Sequence, residues 1–351
     1  MNSVPTKATL AVDAMGGDFG IDVTVPASVQ FLRNDKTDQH KIILVGNQEE
    51  ITEKLKDLKA DDLITQGLIE ITHASEVVEM DESPALALKR KKDSSMRVAI
   101  NLVKEGVAQA SVSAGNTGAL MATARFVLKT IRGIDRPAII SSMPCRDTSK
   151  TIHMLDLGAN VDSTPDMLLQ FAVMGSVLTR FVDKKENPRV ALLNVGAEEI
   201  KGSEKVKKAS SLLEASPLIN YTGYIEADEI YDSKVDVIVT DGFEGNVALK
   251  ASEGTAKMIV DVMQEEFKRN ALTKFAGLLS LPILKAMKRR LDPRTHNGAT
   301  LLGLNGVVVK SHGGTDELGF LHAIHEAFAQ ADLDLIGHLS EQFENISTIE
   351  S

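Results

Sequence analysis

Tryptophan is absent from the 351 residues, tyrosine occurs three times, and aromatic residues make up only 4% of the chain. Stacking platforms for nucleobases and aromatic shelves for sugars are therefore scarce. A single cysteine, Cys145, excludes an internal disulfide framework and an all-cysteine zinc cage, and it suits a reducing compartment. Excess positive charge is missing too. Lysine and arginine number 39 against 49 aspartates and glutamates, a formal charge of −10, so no nucleic-acid partner is expected. No apolar run reaches the roughly 18 residues needed to cross a bilayer. The opening MNSVPTKATL lacks the apolar core of a secretory signal. A cytoplasmic location follows as the expectation, with residues 1–8 a flexible N-terminus. Familiar fingerprints are also lacking: no strand-linked G-x-G-x-x-G, no G-x-x-x-x-G-K-[ST], no H-E-x-x-H and no G-x-S-x-G.

What is present is a hydrophobic content of 43%, enough to bury one large or two medium cores. Short Val- and Ile-rich runs begin near Thr9, Lys41, Leu68, Ala110, Arg136, Thr151, Arg189, Val235 and Asn305. Most end in Gly, Asp or Asn and are followed by helical periodicity, the alternation of an α/β fold with a mostly parallel sheet. Helices are clearest from Thr117 to Ile131 and from Gly245 to Lys268. In the second, Val247, Leu249, Ala251, Ala256, Ile259, Val260, Met263 and Phe267 form an apolar face. Residues 9–345 read as one catalytic unit, with the polar stretch Asp183 to Pro188 a soft seam between halves.

Five glycine-rich turns close these strands: DAMGGD (Asp13 to Asp18), SAGNTGA (Ser113 to Ala119), DLGAN (Asp156 to Asn160), LNVGAEEIKG (Leu193 to Gly202) and TDGFEGN (Thr240 to Asn246). Each alone is an ordinary turn needing positive φ. As a set they suit a small oxyanion, because small residues admit close backbone approach and clustered N–H donors favour negative charge. The candidate substrate-binding residues are Asp13, Gly16, Gly17, Asp18, Ser113, Gly115, Asn116, Thr117, Asp156, Gly158, Asn160, Asn194, Gly196, Asp241, Gly242 and Gly245. Lys201, in a glycine-bounded turn, is either a point charge for phosphate or a solvated loop lysine. His312 is a strand-end histidine, structural or an acid/base group. Asn246 joins Asn116, Asn160 and Asn194 as neutral hydrogen-bonding lining. Cys145 has no histidine nearby in sequence and reads as a small buried hydrophobe, so covalent catalysis is not suggested.

A segment over 268–295 stands apart. FAGLLSLPIL, from Phe275 to Leu284, carries no charge and precedes Lys285, Lys288, Arg289, Arg290 and Arg294. Phe275, Leu278, Leu279, Leu281 and Ile283 with these cations suit a lipid interface or a second subunit, or else an ordinary core helix; Pro282 implies a bend or two short helices. This cluster, or Lys89 to Lys92, also suits an acidic carrier protein, although the latter run reads first as a solvated helix face.

Taken in order, the five turns, followed by NGATLLGLNGVVVKSHG from Asn297 to Gly313, resemble the bacterial acyl-acyl-carrier-protein:phosphate acyltransferase (PlsX) family from about Thr9 to about Leu335. The resemblance implies a three-layer α/β/α fold similar to isopropylmalate dehydrogenases and phosphotransacetylases. It implies transfer of a long-chain acyl group from acyl carrier protein to inorganic phosphate, the co-substrate; with oxyanion turns but no nucleophile-base dyad in the sequence, direct attack by phosphate with no metal or other cofactor is the expectation. The resemblance further implies a homodimer peripherally bound to the inner face of the membrane, and a glycerol-3-phosphate acyltransferase that consumes the acyl phosphate. Lys201 and Asn246 match active-site positions of the family and His312 matches its late histidine. Ile21 and His296 replace a common proline and tyrosine. A short-chain phosphotransacetylase acting on coenzyme A thioesters is the alternative.

Overall fold

Runs such as TLAVD and KIILVG become central strands because both of their faces are covered. The computed structural model describes residues 8–37 and 39–349, with backbone alone for 288–291, 293 and 346–349. Its strands are β1 (Ala8–Asp13), β2 (His40–Gly46), β3 (Ile69–His73), β4 (Ala110–Ser113), β5 (Ala138–Met143), β6 (Ile152–Leu155), β7 (Arg189–Leu193), β8 (Asn220–Ile225), β9 (Val237–Val239), β10 (Ala299–Leu302) and β11 (Val307–Lys310). The helices are α1 (Ile21–Asn34), α2 (Gln48–Asp57), α3 (Asp61–Thr65), α4 (Pro84–Arg90), α5 (Ser95–Lys104), α6 (Thr117–Leu128), α7 (Pro165–Val182), α8 (Glu204–Ala215), α9 (Gly242–Lys268), α10 (Ala271–Leu279), α11 (Leu281–Leu291), α12 (Glu317–Asp332) and α13 (Leu335–Ile349). Of the stretch expected to be a flexible N-terminus, residues 1–7 lie outside the described residues, while Ala8 already pairs with His40 in the sheet.

One 11-stranded sheet runs in the order β3-β2-β1-β4-β11-β10-β5-β6-β9-β7-β8. It is parallel on both flanks and turns antiparallel only around β10 and β5. Alternate residues of each strand enter different cores, as the two-residue period requires. Leu10, Val12, Ile42 and Leu44 pack with α1 and α12. Val190, Leu192, Val237 and Val239 pack with α7 and α8. On the opposite face, Ala11, Ile43, Val45, Ala191 and Ile238 belong to a single cluster shared by both halves, with α5 and α6 above it. Each such fully buried Val, Leu or Ile contributes about 1.5–3 kcal/mol.

The expected seam is misplaced. Asp183 to Pro188 lies within the second half, where Asp183 pairs with His153 at 2.9 Å and Lys185 with Asp236 at 2.8 Å. The chain passes between halves at the entries to β5 and β10, and again between α12, packed with the first half, and α13, packed on α7. Strands β8 and β10 were not anticipated: β8 is a half-exposed edge strand containing Gly223, and β10 is only four residues long.

Helix α9 departs from the body. Over 27 residues, about 40 Å, it buries only Gly242 and Gly245. Of the apolar face read from its periodicity, Val247 and Ile259 are exposed, as are Met258 and Val262 beside it, while Leu249 packs on the shared core and Phe267 lies against Gly277 of α10. Helices α10 and α11 continue the arm, separated at Ser280 with Pro282 in the first turn of α11, as the proline required. Among the described residues, no helix is long and apolar enough to cross a membrane.

Candidate active site

The turns gather into two clusters. In the first, β1, β4 and β11 lie side by side and their carboxyl ends interlock. Asp18 N donates to Gly313 O at 2.9 Å, and Ser311 N donates to Ser113 O at 2.9 Å. The Ser113 hydroxyl donates to Asp13 Oδ2 at 2.6 Å and accepts from Gly115 N at 3.0 Å. A Cβ on Gly16 would lie 2.5 Å from Asp13 Oδ2 and 2.9 Å from Gly115 N, so only glycine fits. Burial lifts the Asp13 carboxyl above its ordinary range, against the pull of the Ser113 hydrogen bond. Asn116 caps α6 through Ala119 N at 3.0 Å, and its amide donates to Met80 O and Glu82 O at 2.8 and 3.0 Å. Thr117 is the first residue of α6, whose opening N–H groups have no intrahelical partner.

Lys310 completes this cluster, and sequence reasoning saw it only as a neighbour of His312. It is 8% exposed, its Nζ donates to Ala114 O and Ser311 O, and burial depresses its pKa to about 8 although Asp13 and Asp18 pull the other way. The available signal was a cation closing a run of three valines. His312 is exposed; its Nδ1 accepts from Gly314 N at 3.2 Å and its backbone N–H donates to Asn297 Oδ1 at 2.9 Å.

The second cluster joins the ends of β6, β9 and β7. Asp156 is fully buried and saturated with donors. Oδ1 accepts from Ile139, Gly158 and Ala159 N–H groups at 2.9, 3.1 and 2.9 Å, and Oδ2 from Asn160 N and Nδ2 at 2.7 and 2.9 Å. Burial still raises its pKa. Asp156 therefore shapes the DLGAN turn, and that turn's amides face the carboxylate rather than a ligand. The α9 N-terminus presses onto it: a Cβ on Gly245 would sit 1.9 Å from Asp156 O, and one on Gly242 would sit 2.2 Å from Asn160 O. Asp241 caps α9 through Phe243 N at 2.9 Å, while its Oδ2 accepts from Ser163 N at 2.7 Å and Lys205 Nζ at 2.8 Å. Burial would raise the Asp241 pKa; Lys205 and these donors bring it below its ordinary value. Lys205 was another residue missed, since it is one of three lysines in the first two turns of α8.

Asn246 lies in the first turns of α9, exposed, with its side chain against Gly158, whose φ of 124° admits only glycine comfortably. Lys201 is also exposed, with Nζ 2.8 Å from Glu198 Oε2, a pair that raises the lysine pKa. Asn194 turns inward, donating to Gly196 O at 3.0 Å and Lys201 O at 3.3 Å, and so holds the loop rather than lining an opening. Cys145 is half-buried against Ser233, a little more open than expected.

Helix α9 connects the clusters. Ala248 and Leu249 pack into the core shared by both halves, and Lys250, one turn after Asn246, acts electrostatically on Lys310. Lys201 and Asn246 thus belong to one cluster and His312 to the other, with the start of α9 between them. An open depression of about 510 Å³ lined by Phe19, Val23 and Leu318 adjoins the first cluster from outside and takes in none of the turn glycines. Of the expected arm residues, Phe275, Leu278, Leu279, Leu281, Ile283 and Lys285 are exposed. The side chains of Lys288, Arg289 and Arg290 lie outside the described ones.

Comparison with solved structures places this fold beside a phosphotransacetylase from Streptococcus pyogenes, with a TM-score of 0.64 at 17% identity over 93% of this chain and 94% of that one. A branched-chain phosphotransacylase from Enterococcus faecalis V583 gives 0.57 at 12% identity, over 92% and 99%. At such identities the likeness concerns the fold. Sequence relatives are much nearer. The phosphate acyltransferase of Legionella pneumophila (strain Paris) is 53% identical over 337 residues, 96% of each chain. That of Chromobacterium violaceum is 54% identical over 347 residues, 98% of each. Residues 8–337 match the family described as fatty acid synthesis protein. With relatives this similar along nearly its whole length, the chain belongs to the fatty acid synthesis protein family and, within it, to the phosphate acyltransferases, enzymes that transfer acyl groups.

Proposed function

We propose that the chain moves a long-chain acyl group from an acyl carrier protein thioester to inorganic phosphate, giving acyl phosphate for phospholipid synthesis. The observation that carries this reading is the placement of Asn246, an exposed amide over the bare backbone of Gly158, at the α9 N-terminus between the two clusters. Phosphate is already an anionic nucleophile. One of its oxygens attacks the thioester carbonyl, the C–O bond forms, the carbonyl oxygen takes up negative charge, and collapse expels the thiolate. The Asn246 amide and the helix dipole offset the oxyanion charge. Lys201, held only by an exposed carboxylate, is free to turn toward phosphate. Buried Lys310 keeps positive potential behind the glycine turns, and in this reading the exposed His312 protonates the departing sulfur. Orientation and charge stabilisation suffice for this transfer, so it needs no metal.

The uncovered arm suits two further roles in the same reading, pairing with a second copy along α9 and resting α10 and α11 on an anionic membrane surface. The acyl phosphate product is a reactive mixed anhydride, which favours a glycerol-3-phosphate acyltransferase nearby to consume it.

Incubation with palmitoyl carrier protein and phosphate is expected to release acyl phosphate and free carrier. Lys201→Ala and Asn246→Ala are each expected to lower kcat by about 100-fold. Turnover of acetyl-coenzyme A but not of the carrier thioester would support the short-chain reading instead. An acyl-enzyme trapped on Cys145 would overturn direct transfer.

A further inference from the structure

We propose that the outer face of α4, α5 and α6 is the docking surface for an acidic carrier domain that delivers the thioester. The inference rests on the carrier-thioester reading above and assigns it a place on the molecule. Its starting point is charge. In a chain of formal charge −10, Lys89, Arg90, Lys92, Arg97, Arg125 and Lys129 gather on neighbouring helices, and among the described residues none of them forms an ion pair. Two of the nearby anions are engaged, Glu82 lying 3.6 Å from Lys91 and Asp93 accepting from the Ser75 backbone at 3.0 Å, while the exposed Glu79 and Asp81 beside Met80 border the face at its edge.

The cations surround exposed apolar groups. Phe126 is 52% exposed, with the Arg97 guanidinium 5.5 Å and the Lys129 ammonium 4.8 Å from its ring centre. Arg97 also donates to Leu88 O at 3.0 Å, which ties α5 to the end of α4. Leu86 in α4 and Met80 just ahead of it are exposed as well. Aromatic and aliphatic anchors among unpaired cations make a surface complementary to an acidic partner that has its own small apolar face.

The face also leads into the site. Asn116, which caps α6, holds Met80 O and Glu82 O just ahead of α4, and Pro84 packs where a Gly118 Cβ would go. Met80 overlies Gly313 of the first cluster. Helices α4 and α6 thus both start at the SAGN turn, and Phe126 lies about 14 Å along α6 from Thr117. A carrier seated there has its thioester arm beside the SAGN turn of the first cluster.

The test is a Lys89→Glu, Arg90→Glu, Arg125→Glu variant, with Phe126→Ala as a second, assayed with acyl carrier protein and acyl-coenzyme A thioesters of the same chain. Each variant is expected to raise the KM for the carrier thioester at least tenfold and to flatten its salt dependence. The KM for acyl-coenzyme A, the KM for phosphate and kcat are expected to stay within twofold. Equal rises for both thioesters, or no rise for the carrier, would overturn the docking assignment. Loss of binding to anionic vesicles with an unchanged carrier KM would give the face to lipid instead. Failure of the unaltered protein to use the carrier thioester at all would instead remove the reading on which the inference rests.

Discussion

Helices α7 and α9 carry the same apolar periodicity with opposite outcomes. Along α7, Met167, Leu168, Phe171, Met174, Val177 and Leu178 are all buried against the sheet and α13. Along α9, Val247, Met258, Ile259 and Val262 are open to solvent. Periodicity reports that a helix has a face to cover, and only tertiary structure says what covers it. The difference separates a body that stabilises itself from an arm that has surface to offer.

That separation is broken most directly by truncating each region. Phe171→Ala removes a side chain with no exposed surface and is expected to cost about 3–5 kcal/mol in urea unfolding. The pair Leu279→Asp and Ile283→Asp, at 67% and 65% exposure, is expected to change stability by under about 0.5 kcal/mol while releasing the protein from anionic vesicles. Unfolding of the arm variant at the same denaturant as Phe171→Ala would mean that arm and body are one cooperative unit.

The body buries charge as well as apolar surface, and Lys310 is where this is measurable. Its pKa falls from 10.5 to about 8 on folding, so the folded state releases the proton first. Stability attributable to this group is lowest below about pH 8 and rises until the unfolded lysine also deprotonates above pH 10.5. The gain is on the order of 3 kcal/mol for so buried a group. Lys310→Met is expected to remove that rise from the pH profile. A variant whose profile between pH 8 and 10.5 parallels that of the unaltered protein would show the ammonium to be solvated.

Much of the body was legible because strand burial leaves a direct trace: each Val- and Ile-rich run ends at the turn where the structure ends the strand. The helix start at Thr117 was marked by Asn116, a residue whose short side chain caps a helix, whereas α9 begins at Gly242, three residues before the expected Gly245, with Asp241 as its cap. Less legible was which way the turn groups face. Asp156 and Asn194 share the composition of a ligand-binding turn yet spend their hydrogen bonds on the turn itself, which spacing does not encode. Lys205 and Lys310 escaped notice for the opposite reason. A lysine acquires its character from what the fold puts around it, here Asp241 in one case and two backbone carbonyls in the other.

The finest cut falls on Gly254. It follows Val247 by seven residues and precedes Met258 by four, so it shares the exposed stripe of α9, and nothing lies within 4 Å of a Cβ built there. In one chain alone, Gly254→Ala replaces a flexible residue in an exposed helix and is expected to add about 0.5–1 kcal/mol. If a second copy lies along the stripe, the glycine is where two helices approach most closely, and an added methyl group holds them apart. The gain is therefore expected at low protein concentration and should shrink as concentration rises. A gain that stays constant across that range would leave the stripe at Gly254 uncovered by another chain, and the arm's apolar surface would then be left for lipid alone.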